Sequence, residues 1–307
     1  VPLGNGHHAA GFSGTKPRFV ASSFNDCDNV FSIFDFSDPK AMTKLRTITA
    51  LELGFDGSSM QKTCDPTLAT GISLRPHGCA TSKANGKTYC NMAGAGLIAI
   101  IDTDADPPTF TTLQLSGTGG GYVKAGKGGA YVYTLQATPS EANAGVDCQV
   151  GQLVTIEAAT NTVVHELPLL YKGAGCTDKL AGTDEAAVGP NHLRLTEDGK
   201  TLFIALSSPS SDPASRVRWH IGVDLSNPAV PVQTKGIPVG QSTNQRGSAI
   251  SGDGKILYIA DSVDGTVTAV DTKTLDIVKT YTVMPNPLQV ATFGTFEGPS
   301  QSVGPVH

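Results

Sequence analysis

Residues 189–206, GPNHLRLTEDGKTLFIAL, and 219–240, WHIGVDLSNPAVPVQTKGIPVG, are answered by residues 245–284, QRGSAISGDGKILYIADSVDGTVTAVDTKTLDIVKTYTVM. The second passage rewrites the first. Each holds four short apolar runs. The first run ends in a polar-Gly turn, Asp198-Gly199 and then Asp253-Gly254; the second is Leu202–Leu206 and then Ile256–Ala260. The third ends in Val-Asp, at Val223-Asp224 and Val270-Asp271, and a fourth follows a second turn. Asp-Gly between alternating apolar residues is a strong hairpin signal. Four strands in a repeat of roughly 40–50 residues describe a propeller blade, a unit that cannot bury its faces alone. The expectation is an all-β fold, a single β-propeller of four-stranded blades.

Working outward, residues 76–115 repeat the pattern most plainly as blade two. Residues 18–24, 29–36 and 43–50 follow the same grammar as blade one, where IFDFSDP echoes GVDLSNP. Blade three opens at GGGYVKAGKGGAYVYTL, breaks at a polar loop around 141–147 and resumes at GQLVTIEAATNTVVHELPLL. Residues 51–74 and 171–188 interrupt the repeat as two excursions, and long excursions are where function often sits. Leu288–Phe293 reads as one more strand. That makes five recognisable blades in one domain, 1–307. Six or seven stay open, because a typical blade of ~44 residues would fit the chain about seven times.

The chain has 39% hydrophobic and only 16% charged residues, with Gly 35 and Pro 19, the composition of short strands and many turns. A net charge of −5 without a basic cluster excludes the positive footprint that nucleic acid requires. No apolar run approaches the ~18 residues of a membrane span. The six cysteines point to an oxidising compartment. Cys79 and Cys90 stand on successive strands of one hairpin, where cross-strand neighbours come close enough for a bridge. By elimination Cys27 pairs with Cys64 and Cys148 with Cys176; six buried free thiols are the alternative. A start at Val1 with no leader fits a processed, secreted or periplasmic protein.

The segments PHGCATSKANGKTY, HLRLTEDGKTLFIA and AISGDGKILYIADSVDGTVTAVDTKT resemble the YVTN-type propellers, which implies the fold and says little about activity. GHHAAGF, RFVASSFNDCDNVFSIFDFSDP and RPHGCATS look like the opening and the second His segment of the selenium-binding-protein family, which includes methanethiol oxidases. In that family, and in the propeller of nitrous oxide reductase, histidines converge on the axis to hold copper. The resemblance therefore implies a copper centre. This chain is much shorter than those relatives, so parts of their architecture are missing and their reaction does not transfer with the metal.

The residues point the same way independently. Registered on the hairpin turns, the first strands begin at His7-His8, His77-Gly78, Asn191-His192 and Arg246-Gly247, with Gly120-Gly121 and Tyr122 in blade three. Alternation along a strand pairs His7 with His77 and His8 with His192. Three or four imidazoles without a thiolate suit copper or zinc, with iron if a carboxylate joins, and a three-His site leaves a position open for water or substrate. The metal candidates are His7, His8, His77 and His192; Arg246 and Tyr122 are the catalytic candidates, Arg246 as a cation for an anionic substrate or oxyanion. The plain alternative is that each histidine is a hydrogen-bonded turn-entry residue. Trp219-His220 reads as an aromatic packed at a strand end, and His165 and His307 as solvated. No G-x-S-x-G elbow, phosphate loop or H-E-x-x-H appears. The functional expectation is a metal-dependent, copper-first enzyme acting on a small substrate at the propeller axis. A non-catalytic copper-binding or ligand-recognising propeller is the alternative, and a metal-free lyase or lactonase using a lone His a third reading.

Overall fold

The computed structural model describes residues 7–23, 29–55, 74–119, 121–139, 149–171, 186–187, 190–206, 219–239, 248–261 and 264–283. Every regular element among them is a strand. Blade one is β1 (His7–Phe12), β2 (Arg18–Ser23), β3 (Asn29–Asp35) and β4 (Thr43–Thr49). Blade two is β5 (Pro76–Thr81), β6 (Thr88–Met92), β7 (Leu97–Asp102) and β8 (Thr109–Gln114). Blade three is β9 (Val123–Ala125), β10 (Tyr131–Pro139), β11 (Gln149–Glu157) and β12 (Thr162–Pro168). β13 (Leu170–Tyr171) and β14 (Ala186–Ala187) form a two-stranded ribbon at the ends of the 171–188 excursion. Blade four is β15 (Pro190–Leu195), β16 (Thr201–Leu206), β17 (Trp219–Asp224) and β18 (Val232–Pro238). Blade five is β19 (Ser248–Ile250), β20 (Ile256–Asp261), β21 (Thr266–Asp271) and β22 (Ile277–Thr282). Each four-stranded sheet runs in sequence order, every strand beside its predecessor.

The repeated grammar has a visible cause at the turns. Asp198 accepts hydrogen bonds from Thr196 Oγ1 (2.6 Å) and Lys200 N (3.0 Å), and Asp253 accepts the same pair from Ser251 Oγ (2.6 Å) and Lys255 N (3.1 Å). The glycine that follows each takes positive φ, 73° at Gly199 and 74° at Gly254, where a side chain would be strained. The Val-Asp ending works alike. Asp35, Asp224 and Asp271 each accept the backbone N–H two residues on, at 2.8 Å, closing the turn out of the third strand.

By contact the described residues divide into two compact units, those up to Thr134 with Ile156–Val163 in one, and Leu135–Thr155 with those from Val164 to Val283 in the other. In the first unit β1 lies against β5 and β5 against β9. Its core joins Val20, Phe31, Ile33 and Ile48 of blade one to Ala99 and Ile101 of blade two. A polar clasp seals this junction. Thr15 Oγ1 donates to Asp104 (2.6 Å), Lys16 Nζ to Asp106 (2.5 Å), and buried Arg18 donates to Thr103 O (2.9 Å) and Asp106 (2.6 Å). In the second unit β15 lies against β19, and Phe203 and Ile237 of blade four pack on Leu257, Ile259, Val270 and Leu275 of blade five.

Cys79 and Cys90 stand directly opposite in β5 and β6, fully buried, with their sulfurs at bonding distance, 2.05 Å, as the hairpin spacing predicts. Cys27, Cys64, Cys148, Cys176 and the expected strand at 288–293 lie outside the described residues. Of the 51–74 excursion, Leu51–Phe55 forms a turn in which Leu53 N donates to Thr49 O (3.3 Å) and Phe55 N to Ala50 O (3.0 Å).

Candidate functional site

All five first hairpins have one length. Phe12 faces Phe19, Thr81 faces Thr88, Ala125 faces Val132, Leu195 faces Leu202 and Ile250 faces Leu257, with six residues between each pair. This shared register corrects the expected alignment of the histidines. His8 and His77 both lie four residues before the end of their strands, whereas His192 lies three before, level with Gly78 and Tyr122. In three blades the pairing slips at the entry of the first strand: between His7 and Ala10, between Pro76 and Cys79, and between Pro190 and His192. Such irregularities re-aim side chains at sheet rims.

His77 occupies the best-defined of these entries. Its imidazole is buried, with the Tyr122 ring edge-on at 4.6 Å between centroids. The seat beneath it is glycine. Gly121 has φ 115°, and a Cβ there would fall 2.7 Å from His77 Cγ. The neighbouring Gly78 donates its N–H to Gly121 O at 2.5 Å, and a Cβ on Gly78 would meet Tyr122 Cα at 2.8 Å. Two glycines therefore let the backbones of blades two and three meet closely enough to press the His77 ring between them. Tyr122 is held from behind: Asn91 Nδ2 donates to Thr134 Oγ1 (2.7 Å), which donates to Tyr122 O (3.0 Å). Ser22 Oγ of blade one donates to His77 O at 3.4 Å.

The remaining candidates are placed as follows. His7 and His8 begin β1, beside β5. His192 is buried on β15, opposite Ala205. Arg246 and His307 lie outside the described residues, and His165 is half-buried on β12 rather than solvated. Among the described residues no group of three or more His, Cys, Asp or Glu side chains is placed to hold a metal ion.

Sequence reasoning assigned no functional role to two buried polar residues. Lys124, opposite Tyr133 on β9 and β10, is buried inside an apolar-looking strand. His220 is 1% exposed, and neither ring nitrogen makes a hydrogen bond. Burial, with the charge of Arg194, pushes its pKa down to about 3, so this imidazole is neutral at physiological pH. Its place could not be read from sequence, because the polar insert at 207–218 hides which residue of β16 it faces.

No protein-family model matches the chain, and no curated protein matches it. Solved structures do. Hydrazine synthase of Kuenenia stuttgartiensis superposes with TM-score 0.57 at 14% identity, over 88% of this chain and 64% of that one, so this chain spans just under two thirds of its length. The periplasmic gluconolactonase PpgL of Pseudomonas aeruginosa superposes with TM-score 0.59 at 13% identity, over 90% and 70%. The Dos1 propeller superposes with TM-score 0.54 at 11% identity, over 90% and 57%. At such identities the likeness is one of fold, and fold alone does not carry function. With the five consecutive four-stranded sheets it gives the conclusion that the chain is an all-β propeller.

Proposed function

We propose that this chain is a secreted or periplasmic propeller metalloenzyme acting on a small substrate where the first strands of its blades begin. The observation that carries the reading is the seat of His77, a buried imidazole on a glycine cradle that any Cβ at position 121 would fill. His8 holds the equivalent position on the adjoining first strand. The donor chemistry fits a metal. Imidazoles suit copper first, with zinc or iron as alternatives, and the nearby Cys79 is engaged with Cys90. A bound ion would supply Lewis acidity toward a carbonyl or water, or an electron-transfer centre. The chain's own part is to hold His77 in one orientation through Gly121 and Tyr122. The Cys79–Cys90 pairing supports an oxidising compartment. The likeness to a periplasmic gluconolactonase makes a small cyclic ester the first substrate to try.

The test is metal content by plasma mass spectrometry on untagged protein beside His77→Ala and His192→Ala. The His77→Ala protein is expected to carry one copper ion fewer than wild type, and His192→Ala, which leaves the His77 seat untouched, should keep the ion that His77 holds. Copper without turnover of any substrate would make the protein a copper carrier. No metal after reconstitution would overturn the metal reading and leave His77 with Tyr122 as an acid–base pair.

A further inference from the structure

Blade four carries a pair of imidazoles of its own. Its four strands pair so that His192, Ala205, His220 and Ile237 stand directly opposite one another in a single row. Opposed residues of antiparallel strands project to one face, so the two histidines flank a methyl group. Their backbones are two strand spacings apart, roughly 10 Å, a gap that two imidazoles can close on one ion. The face is the junction with blade five. Ile237 belongs to the core shared with Leu257 and Ile259, and a Cβ on Gly222, two residues from His220, would lie 2.6 Å from Leu275 Cδ1. Both histidines are buried, and His220 makes no hydrogen bond through either nitrogen. A leucine or phenylalanine would fill that space without stranding two polar atoms, so packing alone does not account for an imidazole there.

We propose that His192 and His220 form a two-imidazole metal site in the junction of blades four and five, selective for a monovalent d10 ion, copper(I). The charge of the surroundings chooses the valence. Arg194 lies on the same face, its Nε donating to Ser248 O (2.6 Å) and its Nη1 to Leu193 O (3.1 Å), and its positive charge bears on His220. A neighbouring cation penalises a divalent ion twice as much as a monovalent one. The walls, Phe203, Ile237, Leu257 and Ile259, are apolar, which again disfavours the higher charge. Two nitrogen donors satisfy copper(I), whereas zinc seeks four ligands. This site does not depend on His77.

The experiment titrates the His77→Ala protein anaerobically with copper(I) delivered from a competing chelator. One ion per chain is expected, with affinity falling at least a hundredfold in His220→Phe and in His192→Phe placed on the same background. X-ray absorption on the copper-loaded His77→Ala protein should show two imidazole nitrogens and no sulfur. That spectrum decides the matter if His220→Phe does not fold. Unchanged affinity in the folded phenylalanine variants, a sulfur donor, or zinc(II) binding more tightly than copper(I) would overturn the proposal. Loss of metal in His77→Ala alone bears only on the site in blade two, so the two readings fail separately.

Discussion

Substituting Gly121 by alanine tests whether the close approach of blades two and three exists to seat His77. Two costs add. At φ 115° a residue with a Cβ is strained by about 1–3 kcal/mol. The new Cβ would also stand 2.7 Å from Cγ and 2.9 Å from Cβ of His77, an overpacking worth about 1–3 kcal/mol. The expected loss is therefore about 2–6 kcal/mol, a large part of the ~5–15 kcal/mol of a typical domain. Gly128→Ala is the matched control, since Gly128 has φ 81° but nothing within 4 Å of its would-be Cβ. It should show the strain alone. The assay is urea unfolding of both variants in the wild-type and His77→Ala backgrounds. Removing the ring relieves the contacts with Cγ and Nδ1 but leaves the 2.9 Å approach to Cβ, so Gly121→Ala should cost less in His77→Ala than in wild type while still exceeding the control. An equal cost in both backgrounds would refute the idea that this glycine serves the histidine.

Further outcomes follow from the same contacts. Thr134→Val removes the hydroxyl linking Asn91 to Tyr122 and leaves the buried amide of Asn91 without that acceptor, which should cost about 1–3 kcal/mol in unfolding and shift Tyr122 fluorescence. Replacing Cys79 and Cys90 by serine should cost roughly 2–3 kcal/mol, measured against wild type with and without reductant. Acid should loosen the junction of blades one and two. Hydrogen bonds from Lys16 and then Arg18 hold Asp106 below the ordinary carboxylate range, and Asp35 is held there by Ser37, with Arg18 a smaller cause. A depressed carboxylate contributes stability above its unfolded pKa and loses it as pH falls through the folded one, so stability should drop below about pH 4. Asp106→Asn should flatten that slope, and a slope unchanged in the variant would exclude this carboxylate as its source. Finally, the reading of residues 1–307 as one domain predicts a single cooperative unfolding transition with coincident near- and far-ultraviolet dichroism; two separated transitions would divide it.

Much of this protein is local, and what is local was legible. The Asp-Gly turns and Val-Asp strand ends appear in the sequence because each is closed by a side chain bonding its own neighbouring backbone, as at Asp198, Asp253, Asp224 and Asp271. Alternation of apolar residues then dictates four strands per repeat, and a constant six-residue hairpin fixes where each first strand ends. The Cys79–Cys90 pairing followed from the same arithmetic. The site was legible only in outline. His77 was singled out by its repeat position, but the alignment with His7 failed because register counts from the hairpin, and the entry irregularities displace whatever precedes it. Nothing in the sequence links Gly121 to His77, or Arg194 to Ser248, since these meet only when one blade's face closes on the next. The row His192–Ala205–His220 is likewise a tertiary fact. A strand pattern states which side chains share a face; it does not state which strand residue lies opposite across a long insert, nor how deeply the packed blades bury it.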